Sequence, residues 1–169
     1  MKNIEIKYQV PSLQDIYSFA SGHPDIRYEW KKEQTDIYYK VPEGQLKLRL
    51  QSDSDHELIF YRRQSSLKPR ESEYYIYSCP DMTKLKHLLD KAFGSLAQVH
   101  KTRTLFMFRN IRIHLDVVEG AGEFIEFESV VDHLTDEEAA QKNLNELLGQ
   151  FHSFSLKPVP VSYAQLLDK

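Results

Sequence analysis

The sequence predicts an α+β fold: antiparallel strands curling into a β-barrel, with helices packed on the outside. Three observations lead there. First, charged residues hold every second position between large apolar ones in Asn3-Ile4-Glu5-Ile6-Lys7, Leu46-Lys47-Leu48-Arg49-Leu50, Arg112-Ile113-His114-Leu115-Asp116 and Phe124-Ile125-Glu126-Phe127-Glu128. A period of two marks a strand with one polar and one apolar face. Second, about eight or nine such segments are separated by turn signals, while only a few segments carry the helical period. Third, 169 residues with 41% hydrophobic content suit one domain, residues 1–169, with a sizeable core.

In chain order, a first strand covers 2–10 and ends at Pro11. Ser12 can cap a short helix with Leu13, Ile16 and Phe19 on one face and Gly22 after it. The stretch through Tyr28, Trp30, Ile37 and Tyr39 reads as two strands turning near Lys32–Thr35. Pro42-Glu43-Gly44 turns the chain into strand 45–51, and Asp53–Asp55 turns it again into strand 57–64. A polar loop, Ser65–Arg70, precedes a strand at 72–78. Asp81 caps a helix whose stripe is Met82, Leu85, Leu88, Leu89 and Ala92, stopped by Gly94. Strands near 97–108, 111–119 and 122–132 follow. Thr135 and Glu138 match a capping box for a helix to about Leu148, and Ser162 caps a last short helix through Leu167.

The composition narrows the function. Against 22 Lys+Arg stand 25 Asp+Glu, a net charge of −3, so no global basic excess points to nucleic acid or a membrane surface. A single cysteine, Cys79, excludes an internal disulfide and fits a reducing compartment. Charges at Lys2, Glu5 and Lys7 break any signal pattern, and no apolar run approaches a membrane span, so a cytoplasmic protein is expected. Any anion site must be local.

The charges of the alternating segments are sorted by sign. Lys47/Arg49, Arg63 and Lys101/Arg103 are cationic, whereas Asp116 and Glu126/Glu128 are anionic. A sheet with one solvated face explains any one segment alone, but such a sheet more often mixes signs across neighbouring strands. If the charges face inward, the lumen holds many cations beside a small acid cluster, as a metal-bound polyphosphate requires. Carboxylate oxygens suit Mg2+ or Mn2+. His114 reads either as a ligand or base, or as a structural strand histidine.

These residues resemble the CYTH domain, the triphosphate tunnel metalloenzyme superfamily of class IV adenylyl cyclases, thiamine triphosphatases and inorganic triphosphatases. The resemblance runs over roughly residues 3–167. It is carried by Gln34-x-Asp36-x-Tyr38-Tyr39 with Leu46-Lys47-Leu48-Arg49, and by Tyr61-Arg62-Arg63 with Ser72. Lys101-x-Arg103, Arg112-x-His114-Leu115-Asp116-x-Val118, Gly122-x-Phe124-x-Glu126-x-Glu128 and Ser162-Tyr163-x-x-Leu166-Leu167 complete it. The family opens with Glu-x-Glu-x-Lys, and here Asn3 replaces the first acid. The chain begins two residues before that motif, without the His-Phe element of cyclase members.

The resemblance implies a closed eight-stranded barrel around a polar tunnel. Lys7, Lys47, Arg49, Arg63, Lys101, Arg103 and Arg112 would grip a small-molecule triphosphate. Glu5, Asp116, Glu126 and Glu128 would hold Mg2+ or Mn2+, and Lys7, Arg49, Arg112 and Glu126 are the candidates for catalysis. Hydrolysis of an inorganic or organic triphosphate is the favoured activity. The rivals are class IV cyclisation of ATP, and a weakened enzyme that only binds triphosphate or polyphosphate, which Asn3 favours. A lipocalin-like barrel would instead need Ile4, Leu48 and Phe127 facing in. The reading admits a homodimer and involves no nucleic acid or membrane.

Overall fold

The computed structural model describes residues 1–52, 55–79 and 81–168. The strands are β1 (Lys2–Val10), β2 (Arg27–Tyr39), β3 (Gln45–Gln51), β4 (His56–Arg63), β5 (Arg70–Cys79), β6 (Ser95–Phe108), β7 (Ile111–Val118), β8 (Gly122–Val131) and β9 (Lys157–Pro158). The helices are α1 (Gln14–Gly22), α2 (Met82–Phe93), α3 (Glu137–Gln150) and α4 (Tyr163–Leu167). The order β5-β4-β3-β2-β6-β7-β8-β1 closes on itself because β1 also pairs with β5. This is a closed antiparallel eight-stranded barrel. Its closing seam is short: Lys2–Glu5 lie against Glu73–Arg70, and β9 takes over the same edge at Tyr8 and Gln9.

Strand parity decides what lies inside. Ile4, Ile6, Ile113, Ile125 and Phe127 point outward and are buried under α1 and α3 with Ile16, Ala140, Leu144, Leu147 and Phe151. Leu48 points outward beneath α2, beside Ile37, Tyr39 and Leu89. Their apolar faces are covered by helices, so the alternate, charged face turns to the lumen. The lipocalin-like arrangement is thereby excluded. Among the described residues, no helix is long and apolar enough to cross a membrane.

Several local expectations change. β2 is one continuous strand through Lys32–Thr35, because all four residues pair with β6 and Gln34 and Thr35 pair with β3 as well. A bulge between Tyr28 and Trp30 interrupts its register. The expected turn at Asp53–Asp55 lies outside the described residues at Asp53 and Ser54. Arg70 belongs to β5 and not to the preceding loop. In α2 only Met82, Leu85 and Leu89 pack inward, while Leu88 is 60% exposed. Asp81 stands at its N-cap without a side-chain hydrogen bond, and Gly94 ends it at φ 70°. Leu13, not Ser12, is the N-cap of α1; Glu123 accepts its amide at 2.6 Å. Asp136, not Thr135, caps α3 by accepting from the Ala139 amide at 2.8 Å. Ser162 and Gln165 form the capping box of α4.

Candidate active site

The inward faces of β1 to β8 surround a cavity of about 430 Å3. Glu5 and Lys7 enter from β1, Lys47 and Arg49 from β3, and Arg63 from β4. Lys101 and Arg103 come from β6, Arg112 from β7, and Glu126 and Glu128 from β8. Arg63, rather than its neighbour Arg62, is the inward arginine of that pair; the Arg62 side chain is 58% exposed. Asp116 is the one expected residue that does not line the cavity. It is fully buried behind Arg103, which binds it with Nε and Nη2 at 2.6 Å each, and the Tyr163 hydroxyl donates to it at 2.7 Å. Its oxygens are occupied within the wall.

Three carboxylates converge. Glu5, Glu126 and Glu128 offer oxygens that lie within 4.8 Å of one another. Register explains the meeting, since Glu5 lies directly opposite Glu128 and Lys7 opposite Glu126 on adjacent strands. Burial raises the Glu5 carboxyl, against the pull of Arg63, and the charges of Glu126 and Glu128 push the same way. Arg63 and Arg70 both donate to Glu5, Arg70 at 3.4 Å. Three acids packed so closely repel one another unless a cation sits among them. Beside them, Asn3 Oδ1 is buried with no partner, although Asn3 shares the inward parity of Glu5. An oxygen-only donor set with an unpaired amide carbonyl fits a hard divalent cation such as Mg2+ or Mn2+.

In a second cluster the sequence named the cations Lys47, Arg49 and Lys101 but gave their shared acid, Asp36, no role. Asp36 is wholly buried and accepts from Lys47 at 2.9 Å, from Arg49 Nε at 2.7 Å and Nη2 at 3.0 Å, and from Lys101 at 2.9 Å. Burial alone would raise its carboxyl, but Arg49, Lys101 and Lys47 overcome that and hold it well below the usual range. Lys101 carries the opposite cost: burial pulls its ammonium down to about 7 despite Asp36, and Arg103, Arg49 and Lys47 add to the fall. Lys7 is lowered to about 8, again chiefly by burial, with Glu126 opposing. Its Nζ lies 3.7 Å from Glu126, donates to the Val161 carbonyl at 3.2 Å and sits 4.1 Å from the centre of the Tyr163 ring. His114 Nε2 approaches Glu128 at 3.2 Å without hydrogen-bond alignment, and burial followed by Arg103 lowers its pKa.

One end of the lumen is closed. Tyr163 of α4 packs with Tyr38, Val99, Val118 and Phe124, so α4 plugs the barrel below the charged layer. The sequence marked Ser162-Tyr163 as a helix start and as part of the family resemblance, not as a plug; the apolar inward residues Val99 and Phe124, sitting at charged-face parity, were the available signal.

The sequence profile of the CYTH domain matches residues 1–163. The chain belongs to the CYTH domain family. CYTH membership agrees with the solved structures that share its fold. The PH1012 protein of Pyrococcus horikoshii OT3 superposes with a TM-score of 0.84 at 21% identity, covering 98% of this chain and 99% of that one. A candidate adenylate cyclase from Vibrio parahaemolyticus gives 0.76 at 18% identity, covering 99% and 98%. The RNA triphosphatase Pct1 of S. pombe gives 0.51 at 12% identity, covering 90% of this chain and 76% of that chain. No curated protein matches this CYTH chain in sequence. The barrel with a charged lumen is thus the family's tunnel, and its acidic cluster lies where a divalent metal can be held.

Proposed function

We propose that this CYTH protein hydrolyses a triphosphate in a divalent-metal-dependent reaction inside the barrel. The observation that carries this reading is the adjacency of the Glu5/Glu126/Glu128 cluster and the ring of buried cations within one cavity. Arg49, Arg63, Arg103 and Arg112 supply forked donors for phosphate oxygens, and Lys47 and Lys101 add compact charge. Glu5, Glu126 and Glu128, with the Asn3 carbonyl, hold the cation, which when bound neutralises charge on the phosphates. Asp116 is assigned a different part from the one expected: it fixes Arg103 and Tyr163 in place. Lys7, whose ammonium loses its proton near pH 8, takes a proton at Nζ from the attacking water.

Asn3 supports a second reading. A neutral amide where relatives carry an acid lowers the negative charge of the metal cluster, which suits a protein that binds triphosphate with little turnover. Phosphate release from tripolyphosphate, ATP and thiamine triphosphate with Mg2+ or Mn2+, with cyclic AMP measured in parallel, separates these. Metal-dependent phosphate release is expected. Cyclic AMP without phosphate release overturns hydrolysis, and tight binding with neither product favours the binder.

A further inference from the structure

We propose that Arg70 is a positioning residue for the metal cluster: it holds the Glu5 carboxylate in place for the cation while Arg63 turns to the phosphates. The inference rests on the metal-dependent triphosphate reading above and deepens it, since that reading gives Arg70 no part. Antiparallel register places Arg112 opposite Glu128, Glu128 opposite Glu5, and Glu5 opposite Arg70. Around the wall, the two acids are therefore flanked by one arginine on each side.

The two arginines are not equivalent. Arg112 lines the cavity, its side chain is 34% exposed, and it reaches Glu128 only at 3.5 Å. Arg70 shares the inward parity of Ser72, Tyr74, Ile76 and Ser78, yet those four line the cavity and Arg70 does not; its side chain is 5% exposed. Its Nη1 donates to the Ser66 carbonyl at 3.0 Å and to the Pro160 carbonyl at 2.8 Å, and its Nη2 to Glu5 Oε1 at 3.4 Å. A guanidinium committed in this way is withdrawn from any phosphate in the lumen. Its one partner in the site is the acid.

Glu5 Oε1 also accepts from Arg63 Nη1, so both donors fall on one oxygen. Oε2 has no hydrogen-bond partner among the described residues and is the oxygen left for a cation. Arg63 is divided in its duties. It lines the cavity, and the same Nη1 lies 3.9 Å from Glu126. Three linked phosphates attract that forked donor, and whatever it gives to them it withdraws from Glu5. Arg70 cannot follow, because carbonyls hold it on two sides. Ser66 precedes β5, and Pro160 belongs to the segment entering α4. That segment is itself tied to β1: the Val159 amide donates to the Lys7 carbonyl at 2.9 Å, and the Val161 carbonyl accepts from Lys7 Nζ at 3.2 Å. Glu5 thus keeps one fixed donor when the ligand takes the other. Partners that orient a metal ligand from behind are worth roughly 10–100-fold in metal affinity.

Calorimetry tests this with two ligands, tripolyphosphate in EDTA and the preformed Mn2+–tripolyphosphate complex. The proteins are wild type, Arg70→Met, Glu5→Gln and the double variant, each shown by a thermal melt to be folded at the assay temperature. Arg70→Met should weaken the Mn2+ complex about tenfold and leave metal-free tripolyphosphate within about twofold. In the Glu5→Gln background, adding Arg70→Met should cost no further affinity for the complex, since Arg70 acts through Glu5. Arg70→Lys keeps the charge, but one nitrogen cannot span Pro160 and Glu5 together. It should show the same split in smaller measure, and it carries the test if Arg70→Met does not fold. Equal loss for both ligands, no loss for either, or the full loss persisting in the Glu5→Gln background overturns the positioning role and leaves the tunnel reading intact. A wild type that binds the complex no better than metal-free tripolyphosphate overturns the metal cluster as well, and binding of neither overturns the triphosphate reading itself.

Discussion

Asp36 and Lys101 meet at 2.9 Å with neither side chain open to solvent, and Lys47 and Arg49 close on the same carboxylate from β3. One acid therefore serves as counter-charge for three cations that face the cavity. On the triphosphate reading proposed above, Asp36 stands in for the anion that the ligand would supply.

Replacing it exposes that debt. Asp36→Asn should destabilise the protein by about 3–5 kcal/mol, since three buried cations lose their only shared acid partner among the described residues. Tripolyphosphate should then raise the melting temperature of the variant more than that of wild type, because ligand charge replaces the missing carboxylate. A thermal melt with and without ligand checks it; an equal rise in both proteins contradicts the counter-charge role.

Lys101 links stability and binding to pH in opposite senses. Its ammonium titrates near 7 in the folded protein against an ordinary value of 10.5. Between those values the unfolded chain holds the extra proton, so the group's penalty is fully present below pH 7 and is relieved as pH rises toward 10.5. The ligand-free protein should therefore gain stability from this residue between about pH 7 and pH 10, whereas tripolyphosphate affinity should fall over the same range. Lys101→Met should flatten both trends. A wild-type affinity independent of pH would sink the assignment of Lys101 to the phosphate grip.

Asn3 offers a test of the metal cluster. Asn3→Asp adds a fourth acid beside Glu5, Glu126 and Glu128 at a position whose carbonyl oxygen is unpaired. Mn2+ affinity measured by calorimetry should tighten about tenfold, comparable to the smaller effects of altering groups around a metal. Without metal the variant should melt lower than wild type. Glu126→Gln should remove metal-dependent turnover and weaken Mn2+; full turnover in that variant would falsify the acidic cluster as the metal site.

The α4 plug makes a quieter prediction. Tyr163→Phe removes a donor to the buried Asp116 and leaves the ring under Lys7 in place. The cost should be about 1–3 kcal/mol, a fall in Tm of roughly 2–12 °C. Tyr163→Ala, which also removes the ring, should cost clearly more.

What could be read beforehand follows from what leaves a trace in single residues. Parity is such a trace: Leu46–Leu50 and Asn3–Lys7 declare both faces at once, and the lumenal cations followed from them. Arg70 left none, because its inward turn depends on where β5 begins beside Pro69. β2 hid its continuity, since Lys31, Lys32, Glu33 and Gln34 are polar on both faces. Thr135 and Asp136 both offer a capping oxygen, and only the backbone chooses between them. Asp36 was quoted within a motif but given no role, because three strands had to assemble before its partners came within reach. β9, two residues including a proline, has no pattern to detect.

The seam of the barrel also bears on how the chain is made. β1 is flanked by β8 across Lys2–Val10 and by β5 only across Lys2–Glu5. During synthesis β1, which precedes the rest of the barrel in chain order, must wait for residues near 122–131 before its long edge is paired. Until then Glu5 and Lys7 have no lumen around them, and the apolar face of Ile4 and Ile6 lacks α3. Contacts of such sequence separation make folding slow and leave a hydrophobic strand edge open meanwhile. The strand that brings Glu5 and Lys7 to the lumen is thus left with its long edge open until β8 has been made.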